Sequence, residues 1–281
     1  MARVLILHPG SMGAVVGACL VAGGHEVSWL ATGRSGTTRA RADAAGFLAH
    51  DTLDGAVRAA DVVLSICPPD NAIEVSAAVA DAVIDTAADI TYVDANAVAP
   101  ITMTAIVGEL ARAQAPVVDG GIVGPPPNSP DTTRLYLSGS DAGEIAALFH
   151  RSNLVAIDMG GVVGAASALK LSYAAWTKGS AAMLLTIAAA AEAHGVADHL
   201  RAEWDLSQPG VTNRLALTGP GVAPKAWRWE GEMQEIAATM AQFGLPAGFH
   251  LAASETWRRL AGFKDTANVD TAAVLARLLD G

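Results

Sequence analysis

A chain of 281 residues with a net charge of −10 and 52% apolar residues has core enough for two domains or one large one, and Lys170 and Lys178 break its one candidate apolar run of membrane-spanning length. The acidic balance argues against nucleic acid or an anionic membrane as partner. Two cysteines, Cys19 and Cys67, supply neither a disulfide framework nor a metal-ligand spacing, so no metal site is expected, and a start that leads straight into a strand points to a reducing cytoplasm.

Arg3 to Leu7 reads as a strand, His8-Pro9-Gly10-Ser11-Met12-Gly13 as a tight turn, and the residues to Ala22 as an apolar helix. In that order, Gly10 lets the backbone approach a pyrophosphate, Gly13 lets the helix sit close to the sheet, and the helix N-terminus offers N–H groups to an anion. His8 stands where the first glycine of G-x-G-x-x-G belongs. His8, Gly10, Ser11, Met12 and Gly13 are therefore candidate cofactor contacts. A second strand follows from His25 to Leu30, and the loop after it carries no carboxylate for a ribose 2′-hydroxyl. It carries Thr32, Arg34 and Ser35, groups suited to a 2′-phosphate and hence to NADPH, although Arg34 also reads as a solvated loop arginine.

Further strands are predicted at Val62 to Ile66, Ile90 to Val93, Pro116 to Val118, Leu135 to Leu137 and Leu154 to Ile157, with helices between them. Asp141 and Glu144 have the spacing of a capping box for a helix running to His150, and Pro100 suits the first turn of a helix ending near Ala113. The alternation is that of an α/β fold, a Rossmann-type doubly wound and mostly parallel sheet. In such sheets ligands gather beyond the strand C-termini, which puts Cys67, Pro68, Pro69, Asn96 and the stretch from Gly120 to Pro125 along one crevice. From Gly161 to Gly195 the sequence predicts one long helix of about 50 Å, small or apolar all round and therefore buried, with Gly195 as its stop. No strand is expected after it. The division is read as a cofactor domain at 1–159 and an all-helical substrate and dimerisation domain at 160–281.

The set of HPGSMG, SICPP at Ser65 to Pro69, VDANAVAP at Val93 to Pro100, VDGGIVGPPP at Val118 to Pro127 and Lys170 in a long helix resembles the β-hydroxyacid dehydrogenases. These include the 3-hydroxyisobutyrate and 6-phosphogluconate dehydrogenases, and the final third resembles the short helical domain of a phosphogluconate-dehydrogenase-like branch. The resemblance implies an NADPH-dependent oxidoreductase acting on a carbonyl or hydroxyl group, with Lys170 as general acid/base. Candidate substrate contacts are Asn96, Val123, Gly124, Tyr173 and Ala174, at or beside the family's substrate positions, with Lys178 added for its place on the same helix face as Lys170. Val123 stands in place of the family's serine and Ala174 in place of its asparagine, so the usual hydroxyacid does not carry over. An imine reductase is the nearest alternative, although the retained lysine argues against it. A non-catalytic NADPH-binding sensor is the second.

The remaining signals stay open between function and packing. Trp176, Trp204, Trp227, Trp229 and Trp257 line a substrate pocket or fill core. Lys178 serves a substrate or pairs with a glutamate, and its charge would help lower the pKa of Lys170. Glu232 and Glu235 are expected on a solvated face, and His194, His199 and His250 at the surface or in caps. The long apolar helix predicts a homodimer built on the helical half.

Overall fold

The computed structural model describes residues 1–280 as two compact units, Met1–Leu171 and a second beginning at Ser172. The first is an eight-stranded sheet in the order β3-β2-β1-β4-β5-β6-β7-β8. Its strands are β1 (Arg3–Ile6), β2 (Glu26–Leu30), β3 (Leu48–His50), β4 (Val62–Ser65), β5 (Thr91–Asp94), β6 (Val117–Val123), β7 (Thr133–Ser138) and β8 (Leu154–Asp158). Every neighbouring pair is parallel except β6 with β7. The helices are α1 (Gly13–Ala22), α2 (Gly36–Ala44), α3 (Leu53–Arg58), α4 (Ala72–Thr86), α5 (Pro100–Ala111) and α6 (Ala142–Ala147).

Alternation along the strands sorts the core onto two faces. Val4, Ile6, Leu64 and Val93 pack with Leu20, Trp29 and Phe149 on one side. Leu5, Leu7, Val63 and Tyr92 pack with Val79, Met103 and Ile106 on the other. A strand buried on both faces reads as an unbroken apolar run, which is why the central strands were legible.

Two expectations need correction in this unit, and one strand was not foreseen. Asp141 precedes α6 but caps nothing, because its backbone (φ −99°, ψ 10°) lacks the extended geometry that aims an N-cap side chain at the helix. That helix also stops at Ala147 rather than His150. The three-residue β3 was not foreseen, since it is too short to show a period.

The long helix α7 spans Ala165–Ala193, 29 residues rather than the 35 expected. Gly160, Gly161 and Gly164 all take positive φ, which delays its start, and Gly195 at φ +68° ends it as foreseen. The division between the two units falls inside α7, after Leu171.

The second unit adds α8 (Ala197–Ser207), α9 (Val211–Val222), α10 (Trp229–Gln242), α11 (Gly248–Arg259) and α12 (Thr271–Leu279), with no strand among the described residues. Trp257 is fully buried and meets Trp229 edge to face at 5.0 Å, with Met233, Ile236, Leu260 and Val274 also in the core. Trp176 and Trp227 are exposed instead. All-round burial of α7 does not hold within one chain: Tyr173, Trp176, Met183 and Ile187 stand 48%, 70%, 50% and 45% exposed. An apolar groove of about 810 Å³ runs beside this stripe, lined also by Trp204, Phe249 and His250. His250 is thus a groove residue, with its Nδ1 shielded and unpartnered, whereas His194 and His199 are exposed as expected. Among the described residues no helix is long and apolar enough to cross a membrane.

Candidate active site

The turn after β1 is built around two glycines with different duties. A β-carbon on Gly13 would collide with the carbonyl oxygen of His8, so the protein's own packing requires that glycine. A β-carbon on Gly10 would meet nothing within 4 Å, and its φ is not positive, so neither packing nor backbone strain demands glycine there. The open space above Gly10 fits an approaching ligand. No side chain caps α1, whose N-cap is Met12, and Ser11 beside it is exposed. This leaves the helix end available to an anion.

His8 and Arg34 lie close enough to interact electrostatically. The His8 imidazole is held near 4 by burial and by the Arg34 charge, so it is neutral at pH 7, and its Nδ1 is shielded without a partner. Arg34 is half-buried rather than solvated, its Nε equally shielded and unpartnered, and it acts electrostatically on Cys67 as well. A guanidinium with an unsatisfied, desolvated N–H is a group waiting for an acceptor. Thr32 and Ser35 are already committed: Thr32 Oγ1 donates to the Asp51 carbonyl at 2.6 Å, and Ser35 caps α2 by accepting from the Thr38 N–H at 3.2 Å.

Across the sheet, β4 and β5 end in a buried polar knot. Asn96 accepts from the Cys67 N–H at 2.5 Å and donates to Asp94 at 2.8 Å and Ser65 at 3.2 Å. Its backbone N–H donates to Asp94 at 3.0 Å. The Asn96 amide, 3% exposed, therefore ties two strand ends together and does not turn to the crevice. Burial pushes Asp94 up to about 7, with Asp119 nearby adding to the rise, and pushes the Cys67 thiol up to about 11. Pro68 is extended, and Pro69 opens a short 3-10 turn that carries the edge of the crevice into α4.

On β6 the candidate catalytic lysine finds its seat. A β-carbon on Gly121 would lie 2.7 Å from the Ala166 carbonyl oxygen and 3.1 Å from Cβ of Lys170, so the absence of a side chain lets α7 lie against the strand. Lys170 is half-buried there. Two residues on, Val123 is 3% exposed and cannot replace a serine's hydroxyl. Gly124 follows at φ +126°, where a side chain would strike the Thr132 carbonyl, so the turn into the proline loop requires glycine. Arg134 lies directly opposite Val123 in the antiparallel register. Sequence reading passed over it.

In the second unit Ala174 is buried at 1% exposure, while Tyr173 is 48% exposed. Lys178 forms a buried ion pair with Glu232, and its Nζ lies 5.2 Å from the Trp229 ring centroid. Burial lowers the Lys178 pKa against the opposing pull of Glu232, with Arg228 lowering it further. Glu232 is thus no solvated residue: it is 7% exposed, because the cation it neutralises is itself buried.

Residues 191–260 match a domain of unknown function, DUF1932. No curated protein sequence matches the chain. Among solved structures, a conserved hypothetical protein from Sinorhizobium meliloti is 25% identical, with 100% of this chain and 96% of that one covered and a TM-score of 0.74. The 3-hydroxyisobutyrate dehydrogenase of Mycobacterium tuberculosis, solved with L-serine, is 19% identical over 99% of both chains at TM-score 0.74. An imine reductase variant from Myxococcus stipitatus in complex with NAD+ is 19% identical over 99% of both chains at TM-score 0.61.

Proposed function

We propose, from the premise that this chain has the fold of the 3-hydroxyacid dehydrogenases, that it is an NADPH-dependent oxidoreductase acting on a carbonyl or hydroxyl substrate, with Lys170 as general acid/base. The observation that carries the reading is the seat of Lys170: β6 gives up its side chain at Gly121 so that α7 can bring this lysine down to the sheet. Lysine is scarce in this chain, with four in 281 residues, and this one is half-buried.

The residues present fit a nicotinamide dinucleotide. Gly10 leaves room for a pyrophosphate, the uncapped N-terminus of α1 favours its charge, and Arg34 keeps an unpartnered N–H beside a loop without a carboxylate. That last combination supports a 2′-phosphate and hence NADPH. A bound nicotinamide supplies or accepts the hydride. Lys170 gives a proton to the carbonyl oxygen as the carbon is reduced, and takes it from the hydroxyl in reverse. The neutral His8 lines the pyrophosphate turn without adding charge at pH 7.

Imine reduction is the second reading, favoured by the absence of a hydroxyl at Val123 and of an amide at Ala174. Loss of NADPH absorbance should be followed against small ketoacids, neutral ketones and cyclic imines. Turnover of imines alone would favour the second reading, and stoichiometric NADPH binding without turnover of any of them would favour a non-catalytic sensor.

The exposed stripe of Trp176, Met183 and Ile187 on α7 supports a homodimer through the helical unit. Light scattering should return twice the mass of one 281-residue chain; a folded monomer at micromolar concentration would defeat the dimer. A cytoplasmic enzyme is the setting that the free cysteines favour.

A further inference from the structure

The start of α7 lacks its own cap. Gly160-Gly161-Val162-Val163-Gly164 precedes it, with no Ser, Thr, Asp or Asn to satisfy its first N–H groups. The Ala165 N–H turns back to the Val162 carbonyl at 3.2 Å, and the N–H groups of Gly164, Ala166 and Ser167 are satisfied from the sheet. Asp119 on β6, fully buried, accepts from the N–H of Gly164 and of Ser167, both at 2.9 Å, and from the Ser167 hydroxyl at 2.6 Å. Ser138 on β7, which faces Asp119 across the β6–β7 ladder, donates to the same carboxylate at 3.1 Å and accepts from the Ala166 N–H at 3.1 Å. One carboxylate thus holds two N–H groups and a hydroxyl at the N-terminus of a 29-residue helix, the first of them 45 residues away.

The arrangement also aims a side chain. Ser167 is three residues before Lys170, and Gly121, against which Lys170 sits, is two residues after Asp119 on the same strand. Helix start and lysine are therefore referred to one short piece of β6. A helix held at its first turn by a carboxylate can neither slide nor rotate about its axis, and at 100° per residue a small rotation would swing Lys170 away from its present direction.

We propose that Asp119 is a positioning residue for Lys170: by capping α7 from within the sheet, it fixes the direction and surroundings of the lysine amine. Its contribution to turnover rests on the reading of Lys170 as general acid/base, whereas its hold on Lys170 can be measured without any substrate.

The experiment uses the full-length protein and Asp119→Asn. With four lysines in the chain, reductive ¹³C-methylation gives a spectrum in which Lys170 is assigned by Lys170→Arg. In Asp119→Asn the Lys170 methyl signal should move and its titration midpoint shift by about half a pH unit or more as its surroundings change. The signals of Lys225 and Lys264 should stay in place. NADPH affinity should remain within about twofold, and turnover of whichever carbonyl compound the substrate panel returns should fall about 10- to 100-fold, the penalty for a reacting group displaced by an ångström or so. On a Lys170→Ala background, Asp119→Asn should cost no further turnover. An unmoved Lys170 signal in a folded, merely less stable variant would overturn the proposal. If Asp119→Asn fails to fold, Ser167→Ala, which removes one hydroxyl bond to the same carboxylate, must show the smaller shift of the same signal, and its absence there is equally decisive. If Lys170→Ala retains full turnover, the general-acid reading fails by itself, and the spectrum still decides whether Asp119 holds the lysine.

Discussion

Gly121 and Lys170 meet so closely that a methyl group on the glycine would stand 3.1 Å from the lysine's β-carbon and 2.7 Å from the carbonyl of Ala166. Helix backbone cannot yield to such a contact as a flexible side-chain tip can. Gly121→Ala should therefore push α7 off β6 and cost about 1–3 kcal/mol of stability, as overpacking of a filled core does. NADPH affinity should change little while turnover falls, and thermal melts beside cofactor titration would show both. Unchanged stability in the Gly121→Ala variant would mean that α7 does not rest on β6 here.

Lys178 and Glu232 give a second prediction, on stability alone. Both side chains are buried, at 17% and 8% exposure, so removing one charge strands the other away from water. Glu232→Gln keeps the shape and should cost about 3–5 kcal/mol. Replacing both, as Lys178→Met with Glu232→Leu, should recover most of the loss, because the desolvation cost of both ions disappears. Denaturant titration of the single and the double variant measures both costs. If the single and the double replacements cost the same, the pair is not a coupled buried ion pair.

His8 gives a pH dependence whose sign can be fixed. Its folded pKa near 4 lies below its ordinary 6.5, so the unfolded chain binds the proton more readily. Its stabilising contribution is complete above pH 6.5 and is lost as pH falls through 4. Asp94, raised from 3.8 to about 7, acts in the opposite sense, stabilising at low pH and losing that contribution as pH rises through 7. The two partly cancel in the native protein. Stability of His8→Asn relative to the native protein should rise steadily as pH falls across that window, and a flat difference would show that His8 titrates normally.

On the proposed reading, Arg34 sets the preference for NADPH. A charge-assisted bond to a 2′-phosphate contributes about 1.5–3 kcal/mol, so Arg34→Ala should weaken NADPH about 10- to 100-fold. NADH, which lacks that phosphate, should weaken by no more than about twofold. Fluorescence titration with both cofactors measures the ratio, and equal binding of the two by the native protein would remove the argument for NADPH.

Where local chemistry decided a feature, the sequence already carried it. The sheet was legible because its central strands are continuous apolar runs, the turn before α1 because a glycine-rich stretch separates an apolar strand from an apolar helix and packing demands Gly13, and the end of α7 because Gly195 takes a left-handed conformation. Features set by distant partners were not legible. Asp119 caps a helix 45 residues on, and no local pattern marks it. Asn96 resembles an open strand-end amide until Cys67, Ser65 and Asp94 close around it. Glu232 sits on α10 as a surface glutamate would, and only a buried Lys178, 54 residues earlier, draws it inside. Asp141 shows the reverse error, since a capping pattern is written there but the backbone conformation that would use it is not adopted.

The last prediction separates chemistry from architecture at Lys170. Lys170 is half-buried, with its β-carbon packed over a bare glycine, which sets it apart from a chance surface cation. If that task is proton transfer, Lys170→Ala should lower turnover about 10²- to 10⁴-fold with NADPH binding nearly intact, and turnover plotted against pH should lose one limb. If the lysine is structural, its removal should lower the melting temperature and leave single-turnover hydride transfer unimpaired. Lys170→Arg sharpens the distinction. A guanidinium keeps the charge and most of the packing but does not release its proton in the working range, so it should preserve stability without restoring turnover. A fully active Lys170→Arg protein would show that charge alone, and not an exchangeable proton, is what the site requires.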